Sequence, residues 1–419
     1  MMLFATVINY MDRQLLASVA SFVKHDFHLD EEGYGTLEAW FGYAYAAALL
    51  AAGLLADRWN LRWLYPIALL VWSAAGMATG FAETFLQLLI CRAVLGAGEA
   101  FNWPVAVGIV RRIIPRSSQG LANGIFNSGM TLGAVLTPML VIGFVGPNGE
   151  GWRHLFVLVG ALGTVWVAAW LWATRGTRAE EISPRSQNRD EFAPPIAFRA
   201  VFLLRKFWIA AAVGIAINIS WHFYRVWLPR HLVVDLRFSD LQLQYVLIGF
   251  FLTADVGSIG FGLLAHKLVS PRRSVEKARK QVLVVSGLIC LMATPILFGI
   301  TRTIMVPLYC VVGAGMMGIY AIWYALVQDI SARHTSKCLS LIGAAAWFIN
   351  GQLHPLVGHF ADTHSPAMGK FAPMILCAGI LPFLAVLFAL TWPENSDAQP
   401  VPTAGGQDTK GRSSDSPHK

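Results

Sequence analysis

Residues 53–62 read GLLADRWNLR, and residues 262–273 read GLLAHKLVSPRR. Each stretch follows a long apolar segment and carries basic residues where that segment ends. A second pair supports the same alignment, because VLGAGEAFNWP at 94–104 matches VVGAGMMGIYA at 311–321. Self-similarity over a long period indicates a chain built from copies of one structural unit. The sequence therefore predicts two related halves.

The composition indicates a membrane protein. Of 419 residues, 56% are hydrophobic and 13% are charged, whereas soluble domains have about 25% charged residues. The mean hydropathy is +0.54. A helix needs about 20 mostly apolar residues to cross the hydrocarbon core, and lipid favours helices because it cannot hydrogen-bond the backbone. Twelve such runs are predicted, near 2–24, 36–56, 61–80, 84–110, 119–144, 153–173, 206–229, 241–266, 280–300, 303–328, 338–359 and 371–392.

The most polar internal stretch divides these spans into six and six. We predict an all-α polytopic membrane protein with two pseudo-symmetric six-helix bundles. Six-span repeats are typical of transporters that hold substrate near the middle of the membrane, between the halves. The predicted divisions are an N-terminal bundle at 1–173, a cytoplasmic linker at 174–205, a C-terminal bundle at 206–392 and a disordered cytoplasmic tail at 393–419.

The net charge of +8 reflects membrane topology. Most of the 32 Lys and Arg residues fall in alternate predicted loops and in the tail, a bias that predicts cytoplasmic termini and argues against nucleic-acid binding. The five cysteines show no CxxC pattern, which favours small apolar packing residues over metal ligands. We expect a monomer that crosses the inner or plasma membrane many times.

Among the charged residues inside the apolar spans of the first half, four are candidate functional residues: Asp12, Arg13, Arg92 and Glu99. A charge at the centre of a span costs roughly 2.5–3.5 kcal/mol on insertion scales, so such residues usually face a wet cavity and pair with one another. Arg92 and Glu99 share one helix face, ~10 Å apart along the axis. Tyr309 and Met316 occupy the equivalent positions of the second half, so packing alone does not require these charges.

An acid beside a base in one span suggests coupled binding. Burial favours the neutral form of an acid, whereas a nearby arginine favours the ionised form. If a substrate carboxylate takes over the arginine, the acid is freed to hold a proton, so anion binding and protonation favour each other. The alternative is a static ion-pair network that joins the first and fourth spans, since buried pairs often serve structure alone.

Several longer motifs occur in a fixed order: INYMDRQLL, CRAVLGAGEAFNWPVAV, GLANGIFNSGMTLGAVLTPML, FYRVWLPRHL and TADVGSIGFGLLAHKLVSPRRSVEKARK. Together they resemble the anion:cation symporter family, nearest its hexuronate and sugar-acid branch. GLLADRWNLR resembles the loop signature of the wider major facilitator superfamily. The resemblance covers residues 3 to about 392. It implies proton-driven uptake of an organic anion by alternating access, with no cofactor besides the coupling proton.

The resemblance also implies roles for single residues. Asp12 and Glu99 correspond to the intramembrane acids that carry the proton, and Arg92 to the arginine that links the proton and substrate sites. Arg13 matches the arginine that binds the substrate carboxylate, and Tyr45 a tyrosine that lines the sugar pocket. Each could instead be a satisfied polar group between helices. Candidate partners for substrate hydroxyls or a sugar face are Asn102, Trp103, Asn127 and Ser128.

Two further groups have open assignments. Asp57, Arg58 and Arg62 are predicted to gate the cytoplasmic end, although Asp57 could be a plain topology-setting charge. His222 and Arg225 are three residues apart and share a helix face. They either contact the far end of the substrate or lie at the outer mouth, which the sequence favours because Trp227 and Pro229 are close by.

Three other functions compete with sugar-acid symport. One is transport of another small carboxylate, such as an aldonate or aromatic acid. Another is proton-driven export or facilitated diffusion, although Arg13 and Arg92 favour an anionic cargo. The third is a membrane enzyme, which we do not expect because the sequence has no metal-spaced His/Cys cluster, nucleophile motif or phosphate loop.

Overall fold

The computed structural model describes residues 1–114, 119–175, 198–270, 274–298, 301–330, 335–364 and 369–391. Within these ranges, helices occupy all twelve predicted spans. The first half contains α1 (Met2–Ser18), α2 (Ala20–Asp26), α3 (Glu31–Arg58), α4 (Leu61–Gly80), α5 (Phe85–Glu99), α6 (Asn102–Ile113), α7 (Gln119–Phe144) and α8 (Trp152–Ala173). A short helix, α9 (Phe198–Val201), precedes the second half. That half contains α10 (Arg205–Arg230), α11 (Asp240–Leu268), α12 (Val275–Cys290), α13 (Arg302–Gln328), α14 (Thr335–Thr363) and α15 (Ala372–Ala389).

Polar side chains fix where several helices begin. Asp30 Oδ1 accepts a hydrogen bond of 2.7 Å from the backbone N–H of Gly33, so α3 begins five residues before the predicted span at 36. Thr84 and Gln87 form a reciprocal capping box at the start of α5. Caps of this kind satisfy backbone donors that have no partner within the helix.

Four predicted spans consist of two consecutive helical pieces. α1 is followed by α2 and α5 by α6, α10 continues into a π-helical turn at His231–Asp235, and α12 continues into a 3₁₀ helix at Leu291–Phe298. The break after Glu99 has a local cause. Pro104 lies in the first turn of α6 and has no N–H to donate to the carbonyl of Ala100.

The helices expose apolar side chains outward. Phe81, Trp172 and Val256 are about 70% exposed, as expected of residues that face lipid rather than water. By length and composition, eight of the described helical segments are apolar enough to cross a membrane. The other four predicted spans contain α1, α3, α12 and α14, which are shorter or more polar.

Packing within each half brings helices distant in sequence together. α1 packs on α7, α4 on α8 and α3 on α5, while α11 packs on α13 and α10 on α15. α3 makes its most extensive contact with α14, so the two halves meet there. The predicted linker and tail fall largely at 176–197 and 392–419, outside the described residues, and the domain limits stay predictions.

Candidate anion-binding site

Arg13 of α1 reaches across the first half to α5. Its Nε and Nη2 atoms donate to Glu99 Oε2 over 2.9 and 2.6 Å. The Arg13 side chain is 4% exposed and the Glu99 side chain is fully buried. A guanidinium removed from water in this way is stable only with a carboxylate partner. In this conformation the Glu99 carboxylate supplies that partner.

Aromatic rings from both halves surround the Arg13 guanidinium. Its central carbon lies 5.0–5.3 Å from the ring centroids of Tyr10, Phe41, Tyr45 and Trp347. Electron-rich ring faces stabilise a cation where water is excluded. Tyr45 and Trp347 also stack on each other, with ring centroids 4.6 Å apart. The predicted pocket residue Tyr45 therefore lies beside the predicted substrate arginine.

Asp12 lies next to Arg13 in sequence but faces another direction. It is 1% exposed, and no residue in the described part of the chain hydrogen-bonds either carboxylate oxygen. A Cβ added to Gly76 of α4 would lie 2.9 Å from Asp12 Oδ1, so the carboxyl is packed tightly against that helix. A buried carboxylate without a partner is strongly disfavoured, and the neutral acid fits this place better.

Glu38 of α3 joins two arginines, and the sequence analysis did not include it. Its Oε1 accepts from Arg92 Nη2 and its Oε2 from Arg225 Nη2, both over 2.9 Å. All three side chains are at most 2% exposed. An acid inside a predicted span was the available signal. Arg92 thus pairs with Glu38, while Glu99, on the same helix, pairs with Arg13.

Arg225 and His222 of α10 belong to the same buried cluster. Arg225 Nη1 donates to the carbonyl oxygen of Arg13 over 3.3 Å, and Arg225 Nε donates to His222 Nδ1 over 3.3 Å. The His222 ring centroid lies 4.0 Å from that of Trp347. Whether this cluster contacts the far end of the substrate or lies at the outer mouth, which the sequence favoured, stays a prediction. Both side chains lie against Arg13 and its aromatic neighbours.

The predicted hydroxyl partners differ in how their polar atoms are used. Asn102 accepts from the Tyr65 hydroxyl over 2.8 Å and donates to Thr6 Oγ1 over 3.2 Å, so it is satisfied between helices. Trp103 packs edge-on against Phe126, with ring centroids 5.1 Å apart. These contacts favour a packing role for Asn102 and Trp103, the alternative that the sequence left open.

On α7, Asn127 and Ser128 have different surroundings. Asn127 Oδ1 is buried and accepts no hydrogen bond from any described residue. Ser128 is exposed, and its hydroxyl donates to the carbonyl oxygen of Ile125 over 2.8 Å. Of the two, Asn127 is the better candidate for a substrate hydroxyl.

The second half adds polar groups that the sequence analysis missed. Asn218 Nδ2 donates to the Tyr320 hydroxyl over 2.7 Å, and Asn350 Nδ2 donates to Asn218 Oδ1 over 3.3 Å. Asn350 Oδ1 is buried, and none of the described residues hydrogen-bonds it. Asn and Tyr inside apolar helices could have signalled a polar site. Their pairing across α10, α13 and α14 could not be read from sequence.

The predicted gate is only partly described. Arg62 lies over the Trp63 ring, 5.3 Å from its centroid, and its carbonyl oxygen accepts from Trp170 Nε1 over 2.9 Å. The side chains of Asp57 and Arg58 lie outside the described residues, so their gating role stays a prediction. Among the residues that are described, no group of three or more His, Cys, Asp or Glu side chains is placed to hold a metal ion.

Buried charges between two helical halves suit a transporter, and comparison with known proteins identifies the family. The sequence model of the Major Facilitator Superfamily matches residues 2–350. The chain belongs to the Major Facilitator Superfamily. This match confirms the predicted superfamily and its fold class. It also confirms the prediction that the protein is a transporter and not an enzyme. The protein is a multi-pass membrane protein.

Several curated relatives are named as transporters of sugar acids. The probable L-galactonate transporter of Escherichia coli (strain K12) is 25% identical, over 94% of this chain and 89% of the relative. The hexuronate transporter of Bacillus subtilis (strain 168) is also 25% identical, over 91% of each chain. The probable galactarate/D-glucarate transporter of Escherichia coli (strain K12) is 25% identical over 92% of each chain.

Solved structures of superfamily members share the fold. A D-xylose-proton symporter superposes with a TM-score of 0.73 at 14% identity, covering 93% of this chain and 96% of the other. A bacterial homologue of the human lysosomal transporter Spinster, in an inward-facing and occupied conformation, superposes with a TM-score of 0.68 at 20% identity over 93% of each chain. At these identities the likeness establishes the fold alone.

Proposed function

We propose that this transporter is a proton-coupled symporter that imports an organic anion, a sugar acid such as a hexuronate, by alternating access. We place it in the inner or plasma membrane as a monomer with both termini in the cytoplasm. The placement of the termini rests on the distribution of basic residues among the predicted loops.

The observation that carries the proposal is the Arg13–Glu99 pair. Arg13 makes both of its described side-chain hydrogen bonds to one oxygen of Glu99, while Glu99 Oε1 has no hydrogen-bond partner among the residues that the structure describes. A substrate carboxylate that displaces Glu99 would satisfy Arg13 and leave the Glu99 carboxylate buried and uncompensated. A proton then neutralises Glu99, so anion binding and proton binding are linked.

Asp12 is a second side chain that can carry the coupling proton. Its carboxyl lies one residue from Arg13, is buried and makes no hydrogen bond within the described residues. A neutral acid in the unloaded protein can release its proton when the surrounding vestibule becomes wet. We therefore propose that Asp12 and Glu99 both take part in coupling. In this scheme Arg92 fixes the position of α5 through its ion pair with Glu38.

The chemistry of the pocket supports a sugar acid as cargo. Arg13 suits a carboxylate, Tyr45 and Trp347 suit the apolar face of a sugar, and the unpaired oxygens of Asn127 and Asn350 suit hydroxyl groups. Three relatives are named for galactonate, hexuronate and galactarate/glucarate transport. Aldonates and aromatic acids remain the alternative cargo, and export or facilitated diffusion the alternative mode.

Uptake into proteoliposomes tests the proposal. Purified protein should take up labelled glucuronate or galacturonate, and an inward proton gradient should raise the initial rate several-fold. A protonophore should remove that increase. Uptake that ignores the gradient would make the protein a facilitator. Uptake of aromatic acids with no uptake of sugar acids would overturn the cargo assignment and leave the symport mechanism standing.

A further inference from the structure

Two glutamates of α3 face two arginines of α10. Glu31 and Glu38 are seven residues apart, nearly two helical turns, so they lie on one face of α3. Glu31 pairs with Arg230 and Glu38 with Arg225. Each pair joins the first half to the second. We call the end of the molecule that holds Glu31 and Arg230 the distal end.

The contact between Glu31 and Arg230 belongs to a group of bonds at the distal end, made by Lys24, Glu31, Arg230 and Asp362, which we call the rim. Arg230 Nε donates to Glu31 Oε2 over 3.1 Å, and Lys24 also pairs with Glu31. Asp362 of α14 accepts from the backbone N–H groups of Glu31 and Glu32 over 3.2 and 2.9 Å. A carboxylate at a helix N-terminus is favourable because it satisfies free donors there. The rim therefore ties the start of α3 to both α10 and α14.

Close backbone packing accompanies the rim. A Cβ added to Gly358 of α14 would collide with the carbonyl oxygen of Glu31, and one added to Gly35 of α3 would collide with that of His354. Glycine at both positions lets α3 and α14 approach as closely as backbones can. The distal end is closed in this conformation, and opening it must separate these surfaces.

Glu38 lies deeper in the molecule than the rim, and its two carboxylate oxygens pair with arginines of different halves. Oε1 holds Arg92, which belongs to the same half, and Oε2 holds Arg225, which belongs to the other. Arg225 also donates to the carbonyl oxygen of Arg13. One guanidinium thus links the second half both to α3 and to the backbone of the anion site. When the distal end opens, both links must break together.

We infer that Glu38 is a positioning residue, whose ion pair with Arg225 holds the distal end closed and ties that closure to the Arg13 site. The inference rests on the alternating access of the proposed function. Glu38 neither contacts the cargo nor carries the coupling proton in this scheme. Its bond to Arg92 lies within one half and can persist, whereas its bond to Arg225 forms only on closure. Separated arginine and glutamate side chains need water, so the pair breaks only when the vestibule is wet.

The rate of thiol labelling in purified protein tests this inference without any substrate. Ser18 of α1 is 1% exposed, and its carbonyl oxygen accepts from Gln244 Nε2 of α11 over 3.0 Å, so it lies where the halves meet. A Ser18→Cys chain in detergent should react slowly with a water-soluble maleimide. Adding Glu38→Gln should speed labelling of the introduced thiol about tenfold, since breaking a buried pair favours the open state by 1.4 kcal/mol or more.

Native groups supply two controls. Cys290 is fully buried in α12, and its labelling should stay unchanged, because a structural defect would expose it as well. Glu32 pairs with His359, but both side chains are about half exposed, and such pairs contribute little. Glu32→Gln is the same chemical change on the same helix, and it should leave the labelling rate of the introduced thiol within about twofold.

Three outcomes are informative. Faster labelling of the introduced thiol alone supports the inference. Unchanged labelling, or faster labelling of the introduced thiol and Cys290 together, overturns it. If Glu38→Gln does not yield folded protein, Arg225→Gln removes the same bond from the second half and carries the same expectation. Because labelling needs no cargo, failure to transport a sugar acid would count against the proposed function and not against this inference.

Discussion

α5 of the first half and α13 of the second occupy equivalent places in the repeat, yet at two aligned positions only α5 carries charged side chains. Arg92 and Glu99 correspond to Tyr309 and Met316, and all four side chains are at most 1% exposed. Tyr309 bonds to His231 over 2.8 Å, and His231 bonds to Asp235 over 2.8 Å, so this polar chain stays within its own half. Arg92 instead pairs with Glu38, which also holds Arg225 of the second half.

This difference separates what the fold needs from what transport needs. Met316 shows that an apolar side chain can be fully buried at the equivalent position of α13. The buried pair of Glu99 and Arg13 is then an addition that the helix bundle does not require, and one that gains little stability once desolvation is included. Function therefore explains the charge better than stability does, and the halves have divided their tasks.

Arg13→Ala should show the largest effect. The change removes the side chain that is proposed to bind the carboxylate of the cargo. It also leaves the Glu99 carboxylate buried without a cation. Losing one member of a buried pair costs about 3–5 kcal/mol, and each 1.4 kcal/mol is tenfold, so uptake should fall roughly 100-fold or more. Initial rates in proteoliposomes measure it, corrected for the amount of folded protein.

Arg13→Lys sharpens the same experiment. Lysine keeps the charge but lacks the planar pair of donors that matches a carboxylate. Uptake should recover only in part, with a raised KM. If Arg13→Ala transports at nearly the original rate, the static ion-pair network that the sequence left open becomes the better explanation of these charges.

Glu99→Gln should have the next largest effect, and on coupling in particular. The amide oxygen can still accept from Arg13, but the side chain can no longer take a proton. Accumulation driven by a proton gradient should be lost, whereas exchange of labelled for unlabelled cargo should persist within about tenfold. The ratio of the two rates is the measurement, because a general loss of activity lowers both.

The second half offers a matched control for this change. Met316→Gln puts the same amide at the equivalent position of α13, where no described charged side chain pairs with it. It should lower stability, since a buried amide without a partner is costly, and leave the ratio of accumulation to exchange unchanged. Normal accumulation by Glu99→Gln would remove Glu99 from the coupling mechanism.

The sequence predicted the architecture well because hydropathy is a local property. All twelve spans contain helix, and four buried charged residues of the first half were named: Asp12, Arg13, Arg92 and Glu99. The breaks after Ser18 and Glu99 were not predicted, since a hydropathy average runs across them. Glu38 escaped because its partners Arg92 and Arg225 are 54 and 187 residues away, and such pairing depends on tertiary packing.

Tyr309→Phe should have the smallest effect and bears directly on the comparison. It removes one hydroxyl from the hydrogen-bonded series Tyr309–His231–Asp235. The rest of the side chain keeps its shape. A lost buried hydrogen bond costs about 1 kcal/mol, so the apparent melting temperature should fall by a few degrees while gradient-driven uptake stays unchanged. If uptake instead loses its dependence on the proton gradient, as expected for Glu99→Gln, coupling extends into the second half and the division of tasks between α5 and α13 fails.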